Sequence, residues 1–182
     1  SCMAQKHGTE DIRKVVSALS DFFKHSLNKG EEFTTIEGEL KQVQSYIDIQ
    51  KIRFKDRFCY HTEADNNLLS FRVIKLLIQP LVENCIVHAF EGIDYIGEIL
   101  VRVFREAEYL YITVSDNGLG ANVNDLNRYT AKTHFENDPI EKYGIHNVNE
   151  RLRLYFGTNS GLSYDENEWG GLTATIKIEV KA

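Results

Sequence analysis

The apolar positions divide the chain into two parts. In residues 11–28 they fall at Ile12, Val15, Val16, Leu19, Phe22 and Phe23, the spacing of a helix with one apolar stripe. Asn28-Lys29-Gly30 predicts its stop. Thr34-Thr35-Ile36-Glu37 offers a capping-box start to a second helix. That helix reads Leu40, Val43, Ile47 and Phe54 on one face and ends near Asp56. Two amphipathic helices on a short polar loop make an αα-hairpin. With Phe22 and Tyr46 beside them, the stripes suit an interaction surface, and they equally suit a cover for the rest of the chain.

From Arg57 the pattern turns to mixed α/β. Residues 58–62 suit a strand, and Asn66, Asn67 and Ser70 mark a loop. Residues 71–90 read as one long, very apolar helix despite Pro80, so a kink at Pro80 or a helix starting there is expected. Residues 98–104 and 109–115 alternate as paired strands, with Glu106 and Ala107 at the turn. Residues 117–138 carry many Asn, Asp and Thr with little apolar periodicity, the mark of a functional lid or a partly disordered segment. A helix follows over 141–156, and residues 157–161 break it. Strands at 162–164 and 172–180 end the chain, with Gly170-Gly171 between them.

A length of 182 residues fits one domain, or one domain with an appendage. With 42% hydrophobic and 26% charged residues the chain is no collagen, low-complexity or disulfide-scaffold sequence. The net charge of −6 and the lack of a basic run argue against broad nucleic-acid binding, which rests on neutralising phosphates. A local pocket for a small anion stays open. Cys2, Cys59 and Cys85 are scattered, without zinc spacing, which points to a reducing compartment and makes Cys85 a small core residue. No apolar run approaches the ~20 residues of a membrane span, and there is no signal peptide. Because Ser1 is not Met, the expectation is a piece of a longer protein whose remainder can hold membrane spans.

Three segments carry candidate chemistry. In Gln79-Pro80-Leu81-Val82-Glu83-Asn84-Cys85-Ile86-Val87-His88, Asn84 and His88 share a helix face, and Glu83 adds a third polar group. Such groups, when buried, require a satisfied network or a polar ligand. An Asn carbonyl is a hard oxygen suited to Mg²⁺, whose other ligands are commonly waters and phosphates. Asp116-Asn117-Gly118-Leu119-Gly120 directly follows a strand, where a carboxylate can accept a hydrogen bond from an exocyclic amine. The same letters also spell an ordinary turn. Tyr143-Gly144-Ile145-His146-Asn147-Val148 places a glycine at a helix start, whose free N–H groups suit a phosphate.

Their order and spacing resemble the ATP-binding domain of histidine kinases, in the superfamily shared with gyrase, Hsp90 and MutL. Tyr46-Ile47-Asp48-Ile49-Gln50-Lys51-Ile52-Arg53-Phe54, Gln79-Pro80-Leu81-Val82-Glu83-Asn84 and Asn147-Val148-Asn149-Glu150-Arg151-Leu152 resemble, more narrowly, the LytS-type sensor histidine kinases of bacterial two-component systems. The resemblance implies an α+β fold: a two-layer sandwich over 58–182, preceded by the hairpin (1–57) as the remainder of a dimerisation and phosphotransfer region. It implies ATP and Mg²⁺, with Asn84 as the metal ligand and with Glu83 and His88 beside it. Asp116 would read the adenine amine, with Gly118 and Gly120 as companions. Lys142, Gly144, Ile145 and Asn147 would lie at the third motif, Thr173 near the adenine carboxylate, and 121–142 would be the ATP lid. It further implies a homodimer through the hairpin, a response-regulator partner, no nucleic acid, and a cytoplasmic domain joined to a membrane only through other segments.

Three departures stand out. Val87 replaces the usual basic residue before His88, Lys142-Tyr143 stands where the family has its first glycine, and Gly171-Leu172-Thr173 differs from the usual G-x-G-T. The family's P-H-F-x-x-N phosphoacceptor segment does not occur, so the accepting histidine is expected upstream of Ser1. Competing readings are a catalytically degenerate module acting through dimerisation, a related ATPase or serine kinase, and an α/β binding module unrelated to nucleotide.

Overall fold

The computed structural model describes residues 31–54, 57–131 and 143–180. The helix anticipated over 11–28 and its stop lie outside these residues. The described chain opens with β1 (Phe33–Thr35) and α1 (Ile36–Phe54). Thr35 Oγ1 accepts the Gly38 N–H at 3.1 Å, so the cap falls one residue after the anticipated Thr34. Glu37 pairs instead with Lys41 on the surface, 2.6 Å away. Ile36, Glu39, Gln42, Val43 and Ile47 are the buried stripe of α1, and Leu40 and Phe54 pack at its margin.

The anticipated helix over 71–90 is two elements. β3 (Arg72–Ile74) pairs antiparallel with β1, setting Phe33 opposite Ile74. α2 (Gln79–Asn84) starts one residue before Pro80, which stands in its first turn. A run this rich in apolar residues has too weak a period to separate a buried strand from a buried helix. Proline decides it, because its missing N–H costs nothing in a first turn. Between β3 and α2 the chain makes a tight corner, with Leu76 at φ 59°. The N–H groups of Leu76, Leu77 and Ile78 all donate to the buried carboxylate of Glu39, at 2.8, 2.8 and 3.1 Å. After α2 the coil widens into a π turn, Cys85–Ala89, closed by the Phe90 N–H on Cys85 O at 3.1 Å.

The main sheet contains β2 (Phe58–Ala64), β4 (Gly97–Glu106), β5 (Tyr109–Asp116), β6 (Gly161–Glu166) and β7 (Leu172–Glu179). Its spatial order is β2-β4-β5-β7-β6. β2 and β4 are parallel, joined by a crossover through β3 and α2, and the other pairs are antiparallel. Ala107, φ 50°, sits at the β4–β5 turn, as anticipated. Alternation along β5 and β7 buries Leu110, Ile112, Val114, Ala174, Ile176 and Ile178. These meet Val43 and Ile47 of α1, Leu81 and Val82 of α2, and Val148 and Leu152 of α4 (Tyr143–Phe156) in one core. The fold is a two-layer α/β sandwich, with α1 contributing to its core.

A further helix, α3 (Val123–Ala131), lies where no regular element is anticipated. Among its described side chains, Val123 and Leu126 are the apolar ones packed against the core. Its main attachment is polar. Asn127 lies along the free edge of β6, accepting the Tyr164 N–H and donating to Tyr164 O, both at 2.8 Å. Asn149 of α4 bridges further along, accepting the Leu162 N–H of β6 at 2.8 Å and donating to Thr130 O of α3. Two side-chain amides thereby satisfy an edge strand that would otherwise expose unpaired backbone.

Candidate functional site

A cavity of about 230 Å³ opens between the sheet and the α2–π helix. Leu81, Val114, Leu172 and Ala174 make its apolar walls, with Leu126 of α3 at one side. Asn84 and His88 enter from the helix, four residues apart on one face. Asp116 enters from the end of β5, and Gly120 from the loop beyond it.

Asp116 is 4% exposed. Its Oδ1 accepts the N–H groups of Gly118 at 2.9 Å and Leu172 at 3.4 Å. The Cys85 thiol donates to Oδ2 at 3.6 Å, a weak bond that leaves that oxygen acceptor capacity toward the cavity. Burial pushes the Asp116 pKa up, and the Gly118, Leu172 and Cys85 donors offset part of the rise. Burial first, then the Asp116 charge, hold the Cys85 thiol protonated, well above its usual range.

The glycines here serve close approach. A Cβ on Gly118 would meet the Ala89 backbone, and one on Gly171 would meet the Asp116 carbonyl and carboxylate. Asn167 organises the turn before β7. Its Nδ2 donates to Asp116 O at 2.8 Å and Leu172 O at 2.9 Å, while its Oδ1 accepts the N–H groups of Trp169 and Gly171.

Asn84, His88, Asp116 and Gly120 thus meet at one cavity, with Gly118 beneath Asp116. Glu83 is elsewhere. Its Oε1 accepts Gln79 Nε2 at 2.7 Å, and Gln79 Oε1 accepts Gln42 Nε2 at 3.0 Å, so Glu83 belongs to a polar seam against α1. Burial and the Glu83 charge push the nearby Tyr46 hydroxyl up to about 12. Thr173 lies on the opposite face of the sheet, where its hydroxyl shares a 2.8 Å hydrogen bond with that of Ser115. Strand alternation gives its neighbour Leu172 the place on the cavity. Gly144 and Ile145 lie in the first turn of α4, and Asn147 is exposed on the same helix. Lys142 and the lid portion 132–142 lie outside the described residues. Sequence reasoning missed Tyr164, Leu172 and Asn167. Asn167 was visible only as a polar residue three positions before Gly170-Gly171.

Among the described residues no group of three or more His, Cys, Asp or Glu side chains is placed to hold a metal ion. A cation here would depend on Asn84 and on oxygens brought by a ligand, the coordination style of Mg²⁺ rather than zinc.

Residues 1–58 match the family model described as histidine kinase. The chain is 33% identical over 163 residues to the sensor protein LytS of Staphylococcus saprophyticus, covering 89% of this chain and 27% of that protein. It is 33% identical over 177 residues to LytS of Staphylococcus epidermidis, covering 96% and 29%. It is 31% identical over 164 residues to the sensor histidine kinase/phosphatase LytS of Staphylococcus aureus, covering 89% and 28%. The chain therefore spans 27–29% of the length of these relatives. Among solved structures, the histidine kinase domain of the blue-light activated histidine kinase from Erythrobacter litoralis matches with TM-score 0.58 and 15% identity, covering 93% of this chain and 75% of that one. The catalytic domain of the histidine kinase ThkA matches with TM-score 0.56 and 15% identity, covering 81% and 94%. By sequence over most of its length, and by its two-layer sandwich, the chain is a homologue of the LytS-type sensor histidine kinases and carries the histidine kinase catalytic-domain fold.

Proposed function

We propose that the cavity binds ATP and that the chain is the nucleotide-binding catalytic part of a histidine protein kinase. One observation carries the reading: a buried carboxylate, Asp116, is braced by backbone N–H groups and keeps an acceptor oxygen facing an apolar slot. That arrangement suits a flat, apolar base with one exocyclic amine. Leu81, Val114, Leu172 and Ala174 would hold the ring system and exclude water, while Asp116 Oδ2 accepts the amine hydrogen. At the other end Asn84 Oδ1 would hold Mg²⁺, which when bound neutralises phosphate charge and orients the phosphates. His88 lies beside Asn84 as a second polar contact. The lid over 121–142, with Lys142, and the helix start at Gly144, Ile145 and Asn147 would face the phosphates. Catalysis on this reading is chiefly positioning and charge stabilisation.

The longer protein would pass the γ-phosphoryl group to a histidine outside these 182 residues, since none of the six present lies in a P-H-F segment. Its partner would then be a response-regulator aspartate. Residues 1–57 would hold the remainder of a dimerising region, its pairing surface lying outside the α1 stripe, which is buried in the sandwich core; the histidine kinase match over residues 1–58 supports that assignment. The catalytic part would be cytoplasmic. A second reading, a kinase-like module that binds nucleotide without transferring phosphate, draws on Val87. This residue is 49% exposed beside His88, where a cation would face phosphate.

Calorimetry with ATP and ADP, with and without Mg²⁺, tests the reading. Asp116→Asn, which swaps the acceptor for an amide, is expected to weaken binding about 10- to 100-fold, as loss of a charged hydrogen bond does. The unmutated affinity should also fall on acidification, through an Asp116 pKa held above its ordinary 3.8. Equal affinity of both proteins would place the base elsewhere.

A further inference from the structure

Tyr164 stands out in the cavity wall. It belongs to β6, is 5% exposed, and lines the cavity together with Asn84 and Asp116. Its backbone is clamped on both sides by Asn127, so the position of the ring is set by α3 and the sheet together. Its hydroxyl oxygen is buried and has no hydrogen-bond partner. Buried hydroxyls are normally paired, and an orphan at a cavity marks a group whose partner arrives with a ligand or with a side-chain rotation. The side-chain amide of Asn84 is the nearby donor, close to this phenol but outside hydrogen-bond geometry. The only other described buried side-chain atom in the same condition is Tyr60 Oη, on β2, which does not line the cavity.

We propose that Tyr164 is a positioning residue for Asn84. When ligand fills the cavity, an Asn84 Nδ2–H donates to the Tyr164 phenolic oxygen, and this turns Asn84 Oδ1 toward the phosphate end. An amide has its oxygen and nitrogen on opposite branches, so fixing the nitrogen against the sheet aims the oxygen outward. The phenol keeps its own proton for a ligand or water oxygen. Tyr164 thereby acts on the metal end of the site without touching the metal. This inference rests on the ATP reading above.

The test uses the full 182-residue chain and the variants Tyr164→Phe, Tyr60→Phe, Asn84→Ala and Tyr164→Phe/Asn84→Ala. Each is titrated with ATP in Mg²⁺ and in chelator, and its thermal midpoint is recorded. Tyr164→Phe is expected to weaken Mg²⁺-dependent ATP binding about 3- to 10-fold and to leave chelator-measured binding unchanged. Its midpoint should equal or exceed that of the unmutated chain, because an unpaired buried hydroxyl is removed. The double variant should bind no more weakly than Asn84→Ala alone. Tyr60→Phe should leave both affinities unchanged. Equal Mg²⁺-dependent affinity in Tyr164→Phe and the unmutated chain overturns the inference and leaves the ATP reading standing, as does an equal loss with and without Mg²⁺. If Tyr164→Phe is unfolded, the asparagine side-chain amide resonances of the isotopically labelled chain decide. A cross-peak between the Asn84 amide protons and the Tyr164 ring that appears with Mg²⁺ and ATP and is absent with ATP alone supports the inference, and its absence under both conditions overturns it. No ATP binding by the folded, unmutated chain under either condition overturns the ATP reading and the inference with it.

Discussion

Two buried carboxylates, Glu39 and Asp116, are built alike and do different work. Each is almost inaccessible, at 1% and 4% exposure. Each accepts backbone N–H groups from a turn, and burial raises the pKa of each. Glu39 spends both oxygens on Leu76, Leu77 and Ile78, and it faces packed core. It is a clip that holds the corner from which α2 starts. Asp116 commits Oδ1 to Gly118 and Leu172, keeps Oδ2 lightly held by a thiol, and faces a cavity. On the proposed reading, the difference between a structural carboxylate and a binding one is an oxygen held only by a thiol and an opening in front of it. Neither burial nor a shifted pKa distinguishes them.

The largest effect should separate the two directly. Glu39→Ala strips the acceptor from three N–H groups and releases the left-handed Leu76. Each unpaired N–H costs about 1–3 kcal/mol, so a net loss of about 3 kcal/mol or more is expected after the corner relaxes. Asp116→Asn keeps one oxygen for Gly118 and Leu172 and should cost about 1 kcal/mol while losing nucleotide. Urea unfolding of both variants checks this; a larger stability loss in Asp116→Asn would break the comparison. Next in size is Gly171→Ala, whose Cβ meets Asp116 backbone and carboxylate. It should cost about 1–3 kcal/mol and displace Asp116. Gly170→Ala, with φ 85° and open space around it, should cost about 1–2 kcal/mol from backbone conformation alone. Nucleotide affinity, measured beside the urea midpoints, should fall in the first variant and hold in the second.

The smallest effect concerns Tyr46, near the seam that holds Glu83. Folded Tyr46 keeps its proton to about 12, whereas the unfolded side chain loses it near 10.0. Between those values the unfolded chain binds fewer protons, so stability falls as pH rises. Its contribution is fully present below pH 10.0 and lost through about 12. Tyr46→Phe should flatten that part of the alkaline slope, read as the urea midpoint against pH. An unchanged slope would mean that neither burial nor the Glu83 charge acts on Tyr46 in solution.

Much of the architecture was legible in the sequence. Residues 98–104, 109–115 and 172–180 alternate, and the corresponding strands bury every second side chain, because a half-buried strand writes its own period. Residues 71–78 were not legible. Their apolar run fits a helix, and the carboxylate that satisfies the strand-and-corner alternative is Glu39, more than thirty residues earlier. α3 was hidden for a different reason: it is short, with Val123 and Leu126 turned to the core, and its hold on the sheet edge runs through Asn127 hydrogen bonds that a sequence pattern does not record.

The segments that meet at the cavity were readable as well: Asn84 and His88 on a helix and Asp116 after a strand. Local chemistry and spacing suffice to mark such segments and the kinase resemblance they support. The assignment of sides was not readable. Whether Glu83 faces the cavity or α1, and whether Leu172 or Thr173 lines the slot, depends on the register of elements far apart in the chain. A one-residue step on a strand moves a side chain through the sheet, and one helical position turns it by about 100°. Residue types and order are one-dimensional facts, and the sequence by itself determined them. Which atoms face one another follows from packing, and only the tertiary structure decided it.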